Sequence, residues 1–162
     1  HSPSNPRDSE RLMSKAGKRI AVVAADFNQE LVDTMVEVAR QELDEAAAIL
    51  TRVVRVPGAF ETPLVADVLL DDPAVDGLVV LGHIERGETL HGEVMGHVVY
   101  AALVQLQFKH RKPVGMGIIG PGATPEQAEA RKHAAARAAV RATLRLCEIL
   151  TTEVGPTPLA SE

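Results

Sequence analysis

A histidine that follows a glycine-containing loop is the residue of this chain best suited to chemistry. His91 comes directly after the segment 82–90 and lies in the first turn of a predicted helix. Gly87 lets the backbone approach a ligand closely, and the free amides of a helix N-terminus attract an anion. Because an imidazole exchanges protons near neutral pH, His91 beside such an anion is a candidate acid or base. A purely structural role at a helix start remains the alternative.

The other internal histidines have no such setting, and we interpret His83, His97, His110 and His133 as surface or packing residues. The sequence contains no His-Glu-x-x-His motif or similar ligand spacing, so we predict no metal site. Its single cysteine, Cys147, excludes an internal disulfide and is expected on the apolar face of the last helix.

Two earlier loops carry residues that suit a ligand. Phe27 follows a short aliphatic run, and it either packs onto the next helix or offers a flat ring for a heteroaromatic ligand. Asn28 is placed to cap that helix. Pro57-Gly58 forms a sharp turn before Glu61, which either complements a helix dipole or accepts hydrogen bonds from substrate hydroxyls.

A fourth loop, 120–124, is rich in glycine and precedes the last helix. Arg131 lies about two turns into that helix. It either holds a phosphate through two hydrogen bonds or is a solvated helix arginine. The loop matches neither the dinucleotide fingerprint nor the Walker pattern, which argues against a Rossmann dehydrogenase or a nucleotidase.

Alternating apolar runs and helical patterns must position these loops. Strands are predicted at 19–25, 49–56, 75–84 and 113–119, and helices at 29–47, 59–70, 89–109 and 124–150. Thr124, Pro125 and Gln127 form a capping pattern at the start of the last helix. The βαβαβαβα order predicts an α/β fold, with a four-stranded parallel sheet covered by helices on both faces. In such sheets ligands bind beyond the carboxyl ends of the strands, where all four loops fall.

Composition limits the remaining possibilities. The 162 residues are 46% hydrophobic and 24% charged, which fits one globular domain at 19–150. Segment 1–18 is predicted to be a mobile arm, and 151–162 a flexible tail. A net charge of −5 without a basic run argues against nucleic acid. No apolar stretch is long enough for a membrane span and no leader pattern opens the chain, so we expect a cytoplasmic location.

Taken together, the loops resemble those of the lumazine synthase family, in the same order and across about 19–150. The matching pieces are Asp26-Phe27-Asn28, Val56 to Glu61, Leu81-Gly82, Arg86 to Thr89 with His91, and Glu126-Gln127-Ala128 with Arg131. Segment 117–122 is closer to the archaeal-type branch of that family.

The resemblance implies a flavodoxin-like three-layer sandwich and an enzyme of riboflavin biosynthesis, a transferase. This enzyme would condense 5-amino-6-(ribitylamino)uracil with 3,4-dihydroxy-2-butanone 4-phosphate to 6,7-dimethyl-8-ribityllumazine, without a cofactor. His91 is the implied catalytic residue. The implied substrate-binding residues are Phe27 at the pyrimidine ring, Ala59, Phe60 and Glu61 at the ribityl chain, and Gly87, Glu88, Thr89 and Arg131 at the phosphate. Further implied substrate-binding residues are Asn28, Ile84, Glu85, Met116 and Arg137.

The family assembles as pentamers that share each active site between neighbouring subunits, and some members form sixty-subunit shells. The resemblance implies that Met116 and Arg131 come from the adjacent subunit. Glu85 stands where the family has an aliphatic residue, and Gly92 replaces an aromatic or acidic residue. These departures leave open a non-catalytic relative that binds flavin or lumazine or forms a shell. A third alternative is an enzyme of the archaeal riboflavin synthase type, against which the Gly-Glu-Thr-x-His run speaks.

Overall fold

The computed structural model describes residues 15–157 and residue 159. Positions 1–14 of the predicted arm therefore lie outside the described residues. The same holds for positions 158 and 160–162 of the predicted tail. The elements in chain order are β1 (Arg19–Ala25), α1 (Gln29–Glu45), β2 (Ile49–Val56), a 3₁₀ turn (Ala59–Glu61), α2 (Thr62–Leu70), β3 (Gly77–His83), α3 (His91–His110), β4 (Val114–Ile119) and α4 (Pro125–Thr152).

The four strands form one parallel sheet in the order β2-β1-β3-β4. Ala25 pairs with Val56, and His83 pairs with Ile119, so neighbouring strands end level with one another. Each loop that leaves a carboxyl end therefore starts at the same edge of the sheet. The parallel α/β architecture predicted from the element order is confirmed.

Alternation of side chains along the strands builds two cores, one on each face of the sheet. Ile20, Val22 and Ala24 face α1 and α4, and they are buried with residues such as Met35 and Leu144. The intervening strand residues face α2 and α3, where Val99 and Leu103 are fully buried. Since both faces are covered, the central strands β1 and β3 contain almost no polar residues.

The last helix begins with the predicted capping box. The Thr124 hydroxyl accepts from the Gln127 amide at 3.2 Å, and the Gln127 side chain accepts from the Thr124 amide at 3.0 Å. Pro125 occupies the first helical turn. Its missing N–H costs no hydrogen bond there, because amides of the first turn have no acceptor within the helix. Cys147 is buried among the residues of the first core, as its position on the apolar face predicted.

Several predicted boundaries differ from the structure by one to three residues, and the starts of β3 and α3 are two examples. β3 begins at Gly77 rather than at position 75, because the Val75 amide closes a turn onto the Asp72 carbonyl at 3.0 Å. α3 begins at His91, two residues later than predicted. The third loop is consequently longer, and His91 is the first residue of the helix.

The interpretation of Asn28 as a side-chain cap is wrong. Asn28 occupies the N-cap position of α1 with left-handed backbone angles, φ 56° and ψ 60°, and its side chain caps no helix amide. Asparagine tolerates this backbone region better than most residues. Its amide group is directed instead at a side chain of β3, described below.

Candidate active site

A cavity of about 500 Å³ opens at the carboxyl edge of the sheet. We call it the aromatic cavity, because the rings of Phe27 and Phe60 are part of its wall. Three of the four predicted loops contribute to it. Its lining residues are Phe27, Pro57, Gly58, Ala59, Phe60, Glu61, His83, Ile84, Glu85, Gly87, Thr89, His91, Gly92, Met95 and Val99.

Phe27 presents its ring to this cavity. The Phe27 amide donates to the Pro57 carbonyl at 3.1 Å, and the Asp26 amide donates to Val56 at 2.7 Å. These bonds hold the first loop against the second. Phe27 is 46% exposed, so about half of the residue is open to the cavity and to solvent. An exposed ring fixed by its backbone is suited to stacking against a planar ligand.

The second loop places a carboxylate over a tight turn. Gly58 is extended before the 3₁₀ turn, and Glu61 Oε2 lies 3.1 Å from where a side-chain carbon on Gly58 would be. The buried Thr62 hydroxyl donates to the Ala59 carbonyl at 2.6 Å and fixes the end of the turn. Glu61 is the last residue of this turn and lines the cavity, where its carboxylate can accept hydrogen bonds.

The third loop brings His91 to the same cavity. The His91 amide donates to the Thr89 hydroxyl at 3.3 Å, and Val94 continues the helix by donating to the Leu90 carbonyl. His91 and Thr89 are both exposed to solvent at the positive end of α3. An imidazole at this point can exchange a proton with a ligand group and with water.

A second cavity of about 710 Å³ adjoins the first and shares Glu85, Gly87, Thr89 and Gly92 with it. We call it the loop cavity; its further lining residues are Arg86, Glu88, Leu90, Glu93, His97, Pro121 and Gly122. The predicted phosphate-site residue Glu88 lines this cavity rather than the aromatic one. The loop residues 85–89 and the start of α3 thus contribute to both cavities.

The two departures from the family pattern meet in space. A side-chain carbon on Gly92 would lie 2.9 Å from the backbone carbonyl oxygen of Glu85, closer than such contacts occur. The exposed Glu85 side chain lies at the border of both cavities. Gly92 therefore allows the loop to run tightly over the first turn of α3.

His83 is a cavity residue that sequence reasoning missed. It is 4% exposed at the last position of β3, and its ring centroid lies 6.0 Å from that of Phe27. Its Nδ1 lies 3.2 Å from the Asn28 side-chain nitrogen. Burial lowers the pKa of His83, and the charge of Glu85 opposes that shift only in part. The missed signal was its position, since it directly precedes the loop expected to bind the ligand.

Besides Asn28 and Glu88, three predicted residues do not line the aromatic cavity. Arg131 lines a third cavity of about 410 Å³, the arginine cavity, together with Ile118, Ile119, Gly120, Pro121, Gly122, Ala123, Gln127 and Ala135. Met116 is half-buried against the second core. Arg137 pairs with Glu42 of α1 at 3.5 Å. Within one chain, the structure therefore does not bring these three side chains to His91.

Among residues 15–157 and 159, no group of three or more histidine, cysteine, aspartate or glutamate side chains is arranged to hold a metal ion. Over the same residues, no helix combines the length and apolar character needed to cross a membrane.

The fold and site define a class of protein: a flavodoxin-like, three-layer α/β domain with a ligand cavity at the carboxyl edge of its sheet. Residues 17–151 match the family model described as 6,7-dimethyl-8-ribityllumazine synthase. The chain therefore belongs to the 6,7-dimethyl-8-ribityllumazine synthase family, and the expected transferase of riboflavin biosynthesis is confirmed at the level of that family.

Individual relatives agree. A 6,7-dimethyl-8-ribityllumazine synthase from Aeropyrum pernix is 38% identical over 129 residues, which cover 79% of this chain and 88% of the relative. One from Picrophilus torridus is 36% identical, covering 82% and 96%. One from Methanopyrus kandleri is 37% identical, covering 81% and 95%. These relatives confirm the similarity to the archaeal-type branch.

Proposed function

We propose that the aromatic cavity forms 6,7-dimethyl-8-ribityllumazine from 5-amino-6-(ribitylamino)uracil and 3,4-dihydroxy-2-butanone 4-phosphate. The observation that carries the proposal is the meeting of Phe27, Glu61 and His91 in one cavity from three separate loops. A ring, an acceptor of hydroxyl hydrogen bonds and a proton-exchanging group are the features that these substrates require.

Each group has a physical role. The pyrimidine ring stacks on Phe27, and Phe60 and Glu61 bind the ribityl chain. The phosphate sits near Gly87, Glu88 and Thr89, where the amides and dipole of α3 favour an anion. His91 moves protons during imine formation, phosphate loss and ring closure. Because two substrates must meet, much of the acceleration comes from their alignment.

We propose further that the active site is shared between subunits of a homopentamer. Arg131, the predicted phosphate ligand, lines a different cavity from His91 within one chain. An apolar surface on α2 and α3 offers a contact for a second copy. Its exposed members are Leu64, Val68, Val94, Val98 and Phe108, each at least 49% exposed. Surfaces of this kind mark association sites. The cytoplasmic location stays a prediction.

The proposal is tested by mixing purified protein with both substrates and following product absorbance. We expect wild-type turnover, and a decrease in kcat of about 10²- to 10⁴-fold for His91→Ala, the usual contribution of a general acid or base. His133→Ala, an exposed change on α4, is the matched control and should keep full activity. Undetectable product at high wild-type concentration contradicts the proposal.

A second candidate function is favoured by Glu85. Its carboxylate borders the aromatic cavity, where an aliphatic residue was expected, and a charge there can repel or reorient a substrate. In this case the chain binds a lumazine or flavin without turnover. Fluorescence titration with 6,7-dimethyl-8-ribityllumazine, run beside the activity assay, distinguishes the two functions.

A further inference from the structure

His83 has a hydrogen-bonding group that the fold leaves unused. The residue is 4% exposed, and its Nε2 atom is buried without a hydrogen-bond partner among the described residues. A buried polar group left unpaired is destabilising, because it loses its hydrogen bonds to water without replacement. Such a group in the wall of a ligand cavity indicates a partner supplied by the ligand.

The contact with Asn28 defines which nitrogen carries the proton. The side-chain nitrogen of Asn28 is a donor, and it lies 3.2 Å from Nδ1 of His83. Nδ1 must therefore accept, which leaves the proton of the neutral ring on Nε2. Burial lowers the pKa of His83 and favours this neutral form. Nε2–H is consequently a donor.

The surroundings define the kind of acceptor. His83 and Phe27 line the same cavity, with ring centroids 6.0 Å apart and ring planes inclined at 36°. A planar ligand stacked on Phe27 therefore brings its edge next to His83. Carbonyl oxygens on the edge of a pyrimidine or pteridine ring are acceptors that match Nε2–H.

We propose that His83 positions the substrate, its Nε2–H donating to a carbonyl oxygen of the heterocycle stacked on Phe27 while Nδ1 is held by Asn28. This inference rests on the proposed function, because it assigns a contact within the same ring site. It makes His83 a determinant of specificity for oxidised, carbonyl-bearing rings.

Two variants separate the two ring nitrogens. His83→Asn keeps an acceptor near the position of Nδ1, for the contact with Asn28, and lacks a donor at the position of Nε2. His83→Gln supplies an amide donor near the position of Nε2. Both remove the ring contact with Phe27 equally, so their difference reports the donor. Far-UV circular dichroism and the thermal midpoint check that both variants fold.

The probe is 6,7-dimethyl-8-ribityllumazine, whose binding is followed by its fluorescence. We expect a dissociation constant about tenfold higher for His83→Asn, since the net value of one hydrogen bond is near 1.4 kcal/mol. His83→Gln should bind within about threefold of wild type. Equal affinity of wild type and His83→Asn, or equal weakness of both variants, overturns the inference.

Nitrogen NMR of histidine-labelled protein tests the tautomer without ligand, and the His83→Asn spectrum identifies the resonance. We expect protonation at Nε2 and a shift of that nitrogen when the lumazine is added. Protonation at Nδ1 overturns the inference even in a protein that turns over. A wild-type protein that binds no lumazine contradicts the proposed function as well, so the two failures are distinguishable.

Discussion

At the scale of single residues, the site depends on side chains that acquire their roles from their neighbours. His91 is an ordinary exposed imidazole until Phe27 and Glu61 join it in one cavity. His83 is the opposite case, since burial lowers its pKa and its Nδ1 contacts the Asn28 side chain. In the proposed mechanism the first residue exchanges protons with ligand and water, and the second holds the ligand in place.

Gly92 provides a test at this scale. In Gly92→Ala the new carbon would lie 2.9 Å from the Glu85 carbonyl oxygen, so the loop before α3 must move. We expect kcat/KM to fall by about 10²-fold, the effect of a displacement near 1 Å at a reacting group. Steady-state kinetics measure it. Gly155→Ala, whose new carbon makes only an ordinary 3.5 Å contact, should not change kcat/KM. Unchanged kinetics in Gly92→Ala contradict this view of the loop.

His83 also predicts a pH dependence of stability. Because burial lowers the pKa of His83 in the folded protein below its ordinary value of 6.5, the unfolded chain binds its proton more readily. The contribution to stability is complete above pH 6.5 and is lost as the pH falls through the lowered value. Urea unfolding at about pH 7.5 and pH 5, at fixed protein concentration, measures the loss.

We expect the free energy of unfolding to fall less over this range in His83→Asn than in wild type. The exposed His133→Asn variant should behave as wild type and serves as the control. Identical pH dependence in wild type and His83→Asn would contradict the burial argument.

At the scale of elements, local sequence chemistry defines where several helices begin. The capping box at Thr124 gives two backbone amides at the start of α4 a side-chain acceptor, with bonds of 3.2 Å and 3.0 Å. This helix also packs very closely on the sheet. A side-chain carbon on Gly115 of β4 would lie 2.2 Å from the Ala139 carbonyl oxygen, so the approach requires glycine. The cap and the close packing together fix the helix that carries Arg131.

Removal of the cap tests this account. Thr124→Ala leaves the Gln127 amide without its acceptor, and we expect the free energy of unfolding to fall by about 1 kcal/mol. Thr124→Ser keeps the hydroxyl and should be nearly as stable as wild type. Chemical denaturation measures both variants. If Thr124→Ala is as stable as Thr124→Ser, the side-chain cap does not contribute to the free energy of unfolding.

At the scale of the whole molecule, one chain forms a complete fold but keeps two residues predicted for the site apart. His91 and Arg131 line different cavities, and the surface of α2 and α3 exposes large apolar side chains. In the proposed homopentamer, a second copy would cover this surface and supply Arg131 to the site. Assembly and catalysis would then depend on the same contact.

Val98→Asp tests the proposed contact. Val98 is 49% exposed on α3, and a carboxylate there would be buried without a partner in the assembly. We expect the mass in solution to fall towards that of smaller species, and lumazine formation to fall with it. Sedimentation and the activity assay measure the two effects. Gln41→Asp, on the exposed side of α1, is the control and should keep the native mass. An unchanged mass for Val98→Asp contradicts the role of this surface.

The sequence by itself determined the elements and the family. Strands, helices and the Thr124 cap follow from side-chain periodicity and from contacts within a few residues. The loop motifs 26–28, 56–61 and 86–91 indicated the family for the same reason, since each is a short continuous segment. The differences at the level of elements lay in their boundaries, among them the later start of α3.

Only the tertiary structure decided how distant segments meet. The strand order β2-β1-β3-β4 brings Asn28 to His83, 55 positions away, and turns an apparent packing histidine into part of the cavity wall. It also separates Arg131 from His91 and directs Arg137 to Glu42. Such contacts depend on register and on the direction of crossovers, which no local pattern encodes. The sequence predicted the candidate site residues, and the fold decided which of them share a cavity.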